Sequence, residues 1–160
     1  MRAGLLAVSF AALLSTACGP AFSDRVADYR ASATALNAAV DAHTAAVTNS
    51  TPSTCPGLMA DYAQQGGALL ERMRSMSGGM DRCMSSMGRS ADADLSSACA
   101  AARGELDAHL RACCGAQDIP AELARHAAAM KGHTSRELGR LDEMGGMMSG
   151  GGMSGMMDCE

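Results

Sequence analysis

Apolar residues recur at alternating spacings of three and four along four separate stretches of this 160-residue chain. This is the period of an α-helix that packs one face against a core. The stripes of the first two stretches are Val26, Tyr29, Ala33, Leu36, Val40, His43 and Val47, then Cys55, Met59, Tyr62, Gly66, Leu69, Met73, Met76, Met80, Cys83 and Met87. Those of the last two are Leu95, Cys99, Ala102, Leu106, His109 and Cys113, then Ile119, Leu123, His126, Met130, His133, Glu137, Leu141, Met144 and Met148.

Short segments rich in Pro, Gly and Ser separate these stretches at 48–57, 88–91 and 115–120. Such residues end and begin helices. Short connections make consecutive helices antiparallel, so the sequence predicts an all-α, up-down-up-down four-helix bundle. Glycine pairs at 66–67 and 78–79 cost roughly 1 kcal/mol per Gly in a helix interior. We therefore expect the second helix to be kinked or broken at one of them.

The N-terminus has the pattern of a signal peptide, which we place at residues 1–17. Arg2 precedes an apolar run over 3–14, and small residues lead to Cys18. Small side chains at Ser15 and Ala17 suit ordinary signal peptidase, while the segment 14–18 resembles a bacterial lipoprotein signal with Cys18 as the lipidated first residue. The sequence predicts an exported protein, periplasmic or anchored to the outer membrane as a lipoprotein. A free secreted form is the alternative.

The mature chain divides into a bundle at 18–143 and a flexible tail at 144–160. The tail holds six Met and one Cys, spaced by Gly and Ser, which cannot build a core. It resembles the Met-rich segments of exported copper-resistance and copper-uptake proteins. A neutral low-complexity terminus is the alternative interpretation.

Composition narrows the function. Aromatic residues make up 2% of the chain and there is no Trp, which disfavours an all-β fold. A net charge of −4 with scattered basic residues argues against nucleic acid as a partner. Sulfur is abundant, with 14 Met and 7 Cys. Nothing indicates a protein partner, and contact with a membrane is expected only through a lipid at Cys18.

A motif E-L-x-x-H-x-x-x-(C/M) occurs twice. Its copies are Glu105, His109 and Cys113, followed by Glu122, His126 and Met130. A spacing of four puts these side chains on one helical face, where each Glu could accept a hydrogen bond from its own His. The copies flank the 115–120 turn at similar distances, so we expect His109 and His126 at one level on adjacent helices.

All four His and most Met of the bundle lie on the stripes. Imidazole with thioether and thiolate suits copper best, and zinc or iron is possible at the His and Glu groups. The candidate metal ligands are His43, Met59, Met73, Met76, Met80, His109, Cys113, His126, Met130 and His133. The candidate residues that orient them are Glu105, Glu122 and Glu137. The alternative is that these His are hydrogen-bonded core groups and these Met are core filler.

The cysteines indicate disulfides if the chain is exported, because lipidation of Cys18 leaves an even number. Cys83 and Cys99 lie at equal distances from the second turn and are the candidate disulfide. Cys55 is a candidate partner for one of the adjacent Cys113 and Cys114.

A signal-bearing bundle lined with sulfur residues resembles the bacterial copper storage proteins in architecture and ligand type. The resemblance implies Cu(I) bound inside the bundle. Those proteins line the bundle mainly with Cys, often in C-x-x-x-C repeats. Here Met and His occupy most of the inward-facing positions and no such repeat is present, so we expect a small number of sites.

The leading hypothesis is thus an exported copper-binding protein, not an enzyme, that sequesters or hands on Cu(I). The alternative is a structural, disulfide-stabilised helical lipoprotein without metal. An enzyme would need a signature around the pair Cys113 and His109, and haem would need aromatic residues to pack it; neither is found.

Overall fold

A computed structural model describes residues 22–86 and 95–150. It contains four helices, which are α1 (Phe22–Thr48), α2 (Cys55–Ser86), α3 (Leu95–Ala112) and α4 (Ile119–Gly150). Each helix packs against two neighbours in the cyclic order α1, α2, α3, α4. The up-down-up-down four-helix bundle is therefore confirmed, and the described residues form no strand. The segment 1–21 with Cys18, the segment 87–94, and 151–160 with Cys159 lie outside the described residues, as do the side chains of 83–86 and 147–150.

The buried side chains follow the four stripes closely. In α1 the buried set includes every predicted position from Tyr29 to Val47. The stripes shift by one residue at two places, where Leu70 is buried more deeply than Leu69 and Thr134 more deeply than His133. A straight helix with 3.6 residues per turn drifts from a strict repeat of 3.5, so the buried face moves sideways along long helices.

Helix α2 is not broken at either glycine pair, because it runs without interruption from Cys55 to Ser86. A Cβ atom at Gly66 would already touch Leu106 of α3, at 3.5 Å. A Cβ atom at Gly79 would lie 2.6 Å from the Arg25 guanidinium of α1. Close packing of neighbours against these glycines offsets their low helix propensity.

Side-chain carboxylates define where two of the helices begin. The backbone N–H groups of Leu95 and Ser96 donate to Asp81 of α2, each at 3.1 Å. The Ala121 N–H donates to Asp118 at 3.0 Å. Both carboxylates satisfy N–H groups that a helix start leaves without partners, and Asp81 also fixes the start of α3 against α2.

Helix α4 continues through residues 144–150, past the position at which the sequence indicates the start of a flexible tail. Met144 is buried and packs into the main core, which explains why the helix extends beyond residue 143. The predicted tail over 151–160 lies outside the described part of the chain.

Candidate metal centre

One polar aromatic side chain from each helix meets at a single level of the bundle. We call His43 of α1, Tyr62 of α2, His109 of α3 and His126 of α4 the histidine layer. All four are buried, with at most 5% of each residue exposed. His43 stacks on Tyr62 with ring centroids 4.1 Å apart, and His109 stacks on His126 at 3.9 Å. The two stacked pairs meet edge to face.

Each stacked imidazole of α3 and α4 is bound to a carboxylate through Nδ1. His109 Nδ1 lies 3.1 Å from Glu122 Oε1, and His126 Nδ1 lies 3.0 Å from Glu105 Oε1. A carboxylate can only accept a hydrogen bond, so both Nδ1 atoms carry the proton and donate. In the neutral rings the Nε2 atoms then hold lone pairs.

Those Nε2 lone pairs are used inside the bundle. His43 Nε2 lies 3.1 Å from His109 Nε2, and Tyr62 Oη lies 2.9 Å from His126 Nε2. Because the Nε2 atoms of His109 and His126 accept, His43 Nε2–H and the Tyr62 hydroxyl are the donors. The layer is thus a hydrogen-bonded set with its proton positions determined.

Arg125 closes the outer side of this network. It donates to Glu122 at 2.8 and 2.9 Å and to Glu105 at 3.1 Å. The hydrogen bond from Arg125 is the main reason that the pKa of Glu122 is lowered to about 2. Burial opposes ionisation of Glu105, but its hydrogen bonds to Arg125 and His126 outweigh burial and lower its pKa. Both carboxylates are therefore ionised at neutral pH.

The imidazoles themselves are neutral. Burial, with the nearby His109 and His126, lowers the pKa of His43 to about 4. Burial also lowers the pKa of His126 to about 4, against the opposing effect of Glu105. The pKa of His109 is lowered by burial in spite of its bond to Glu122. Three neutral imidazoles are in the protonation state that a metal ligand requires.

The structure brings together three of the four predicted histidines. His109 and His126 lie at one level, as the two motif copies indicate, and His43 joins them. His133 does not, since the shift of the buried face to Thr134 leaves it half-buried, where its Nδ1 accepts from Arg136 at 3.1 Å. Tyr62, a residue of the predicted α2 stripe outside the candidate ligand set, completes the layer.

The carboxylate partners are exchanged relative to our expectation. Each Glu was expected to bind the His of its own helix, but Glu105 of α3 binds His126 of α4, and Glu122 of α4 binds His109 of α3. When an imidazole points into the bundle, its Nδ1 faces the neighbouring helix. It does not face the preceding turn of its own helix, where the expected Glu lies. Arg125 lies three residues after Glu122 and therefore on the same face of α4. This spacing is the sequence feature that indicates its ion pair with Glu122.

The predicted methionine ligands are distributed over the apolar core. Met73, Met80 and Met130 are fully buried in the main cluster, and Met76 packs at its edge. Met59 lies in a second cluster at the end of the bundle, together with Cys55 and Cys113.

A second polar layer lies about three turns away along α4. It consists of Tyr29, Ser77, Cys99 and Glu137, again one residue from each helix, and we call it the carboxyl layer. Tyr29 Oη donates to Glu137 Oε2 at 2.8 Å and lies 3.2 Å from Cys99 Sγ. Glu137 Oε1 is buried without a hydrogen-bond partner among the described residues. Burial raises the pKa of Glu137, and it raises that of Cys99 to about 11.

This layer corrects two expectations. Glu137 pairs with a tyrosine and does not orient a histidine. Cys99 is a free, buried thiol, so the expected disulfide with Cys83 is not formed in this structure. The sulfur of Cys99 is directed into the bundle at Tyr29, and equal distance from a turn does not determine that direction.

A disulfide does form at the opposite end, between Cys55 and Cys114, which resolves the open choice between Cys113 and Cys114. Cys114 lies in a 3-10 turn (Cys113–Gly115) after α3. Cys113 is a free thiol with no exposed surface, and burial raises its pKa. We call Cys55, Met59, Cys113 and Cys114 the disulfide end.

Comparison with protein-family models, with curated proteins and with solved structures finds no match to this chain. Within 22–86 and 95–150, no helix is long and apolar enough to cross a membrane. Among the described side chains, no three His, Cys, Asp or Glu residues have donor atoms that already converge as on a metal ion. Any ion in the histidine layer must therefore replace hydrogen bonds that now join its members.

Proposed function

We propose that this protein is an exported copper-binding protein that holds Cu(I) in the histidine layer and sequesters it or hands it on. The observation that supports this most directly is the pair of Nδ1–H bonds from His109 and His126 to carboxylates. Metal-ligating histidines characteristically donate their second ring nitrogen to a carboxylate, which fixes the tautomer and leaves the other nitrogen free to bind. Here both Nε2 atoms are directed into the layer.

The charge of the layer favours a monovalent ion. Glu105 and Glu122 contribute two negative charges, Arg125 contributes one positive charge, and the three imidazoles are neutral. One monovalent cation brings the set to neutrality, whereas a divalent cation leaves a net positive charge beside the buried imidazoles, which is unfavourable. Imidazole binds copper, zinc, iron and nickel well, and copper is the member of that group with a common monovalent state.

The separation of the nitrogens is also compatible with an ion. Metal–nitrogen bonds of about 2.0 Å hold two imidazole nitrogens on one ion about 3.3 Å apart at tetrahedral angles and about 3.5 Å apart at trigonal angles. His43 Nε2 and His109 Nε2 are 3.1 Å apart, so they would separate by a few tenths of an ångström. Binding requires His43 to move its proton from Nε2 to Nδ1, a change of tautomer without a change of charge. His126 would join by giving up its bond to Tyr62.

Export remains part of this proposal and rests on the signal-like segment 1–17, with Cys18 as the lipidated residue. The disulfide between Cys55 and Cys114 supports it, because disulfides persist in oxidising compartments. The depth of the layer supports sequestration, since His109 and His126 have no exposed surface.

A structural lipoprotein without metal is the second candidate. The observation that favours it is that the Nε2 atoms of the histidine layer are already paired with one another or with Tyr62. A satisfied buried network can specify a core without binding anything.

The variant His43→Phe separates the two candidates. Phenylalanine keeps an aromatic ring against Tyr62 but removes one ligand, so we expect the Cu(I) affinity to fall at least 10-fold, as measured by competition with a chromogenic Cu(I) chelator. His133→Gln is the matched control, because His133 lies outside the layer, and it should retain the affinity of the unaltered chain.

A second readout excludes an indirect effect on folding. In the unaltered chain, Cu(I) should shift the ¹⁵N resonances of Nε2 in His43 and His109, while the Nδ1–H signals of His109 and His126 persist. If His43→Phe binds Cu(I) as tightly as His133→Gln and the ring resonances do not move, the layer is a structural network.

A further inference from the structure

Three cysteines lie at the disulfide end, although only one of them is a thiol in this structure. Cys55 and Cys114 are bonded to each other, with Cα atoms 6.0 Å apart. Cys113 adjoins Cys114 in the chain, and its side chain packs in one cluster with Cys55 and Met59. A third sulfur thus packs in the same apolar cluster as one end of the disulfide.

The disulfide is accessible from outside the bundle. It lines a surface cavity of about 260 Å³ that also includes Thr51, Pro52 and Ile119. The residue Cys114 is itself exposed. A small dithiol can thus approach the sulfur–sulfur bond, whereas Cys113 on the inner side has no exposed surface.

We propose that the disulfide end is a second, redox-gated Cu(I) site, closed while Cys55 and Cys114 are bonded and formed by Cys55, Cys113 and Cys114 after reduction. The proposal extends the copper-binding function but does not depend on the histidine layer. An external dithiol supplies two electrons and two protons, which cleave the disulfide to two thiols, and the dithiol becomes a cyclic disulfide. Cu(I) then binds the three sulfurs as thiolates, and each bound sulfur releases one proton.

The donor set selects the ion. Thiolate and thioether ligands are soft and favour Cu(I), whereas a structural zinc site takes four protein ligands. The disulfide end offers three thiols, and Met59 adds a thioether at its inner edge. Sulfurs about 2.3 Å from one ion are at most about 4.6 Å apart, which side chains on Cα atoms separated by 6.0 Å can reach by rotating about χ1.

The test compares the full mature chain before and after reduction by a dithiol that is removed before copper is added. We expect the reduced chain to bind one more equivalent of Cu(I), without oxygen and against a chromogenic chelator, and to gain an ultraviolet thiolate-to-Cu(I) charge-transfer band. The double variant Cys55→Ser with Cys114→Ser should lose this gain. Cys113→Ser, which leaves the disulfide intact, should bind the additional equivalent at least 10-fold more weakly.

Cys99→Ser is the matched control, because it removes a buried thiol from the carboxyl layer and should retain the full gain. Circular dichroism on each reduced variant checks that the bundle is still helical. Equal stoichiometry of the oxidised and reduced chains, or a gain that survives in the double variant, overturns the proposal. In the His43→Phe chain the gain should persist, so failure of the histidine layer and failure of the disulfide end are distinguishable.

Discussion

Metal-free protein should lose stability steeply as the pH falls from 6.5 towards 4. His43 and His126 have pKa values of about 4 in the folded chain, against about 6.5 when unfolded. Between these values the unfolded chain binds more protons than the folded chain, so acidification favours unfolding. Each imidazole should cost on the order of 2 kcal/mol at pH 5 relative to pH 7.5. The free energy of unfolding, from urea titrations with a chelator present, measures the effect.

Two variants assign this acid sensitivity to the histidine layer. His43→Phe should remove one of the titrating groups and reduce the loss of stability. The reduction should exceed that in His133→Gln, because His133 is only half-buried, although burial lowers its pKa as well. Glu137 acts in the opposite sense, because burial raises its pKa and its contribution to stability is lost as the pH rises above about 4.5. A loss that is identical in His43→Phe would contradict the assignment.

Replacing Tyr29 should destabilise the bundle, whereas replacing its buried partner Glu137 should not. Tyr29→Phe leaves both oxygens of Glu137 without a partner, which costs about 1–3 kcal/mol. Glu137→Met removes the unpaired Oε1 and introduces an apolar side chain of similar length. The Tyr29 hydroxyl then still has Cys99 Sγ at 3.2 Å, so Glu137→Met should be neutral or stabilising by about 1 kcal/mol.

Thermal and urea unfolding at pH 7 measure the change in the free energy of unfolding for each variant. The double variant Tyr29→Phe with Glu137→Met supplies the control, and it should be markedly more stable than Tyr29→Phe alone because no buried carboxyl remains. If Glu137→Met is as destabilising as Tyr29→Phe, the free Oε1 has a partner in solution, and the carboxyl layer is a satisfied network.

Periodicity was sufficient to predict the bundle and its inner faces. Distances in sequence from the turns also predicted that His109 and His126 lie at one level and that Cys55 forms a disulfide near the end of α3. These features depend on where Cα atoms lie along a helix, which spacing determines. They are therefore accessible from the sequence alone.

Side-chain direction was not accessible in the same way. The exchange of Glu105 and Glu122 between helices depends on the orientation of two imidazole rings, and the free thiol of Cys99 depends on the proximity of Tyr29. The position of His133 depends on a drift of about 20° per heptad. None of these is encoded in a spacing of three or four.

The two polar layers also determine how the helices align during assembly. The apolar core consists mainly of Leu, Met and Ala. Its Met side chains adapt to many neighbours, so the apolar residues on their own would tolerate several registers. A slip of α4 by one heptad would put Met144 beside Tyr29 and move the carboxyl of Glu137 into apolar surroundings, at a cost of several kcal/mol. The buried polar side chains need the same partners when helices come from two chains. A domain-swapped dimer is therefore favourable only if it rebuilds both layers with one residue from each of four helices.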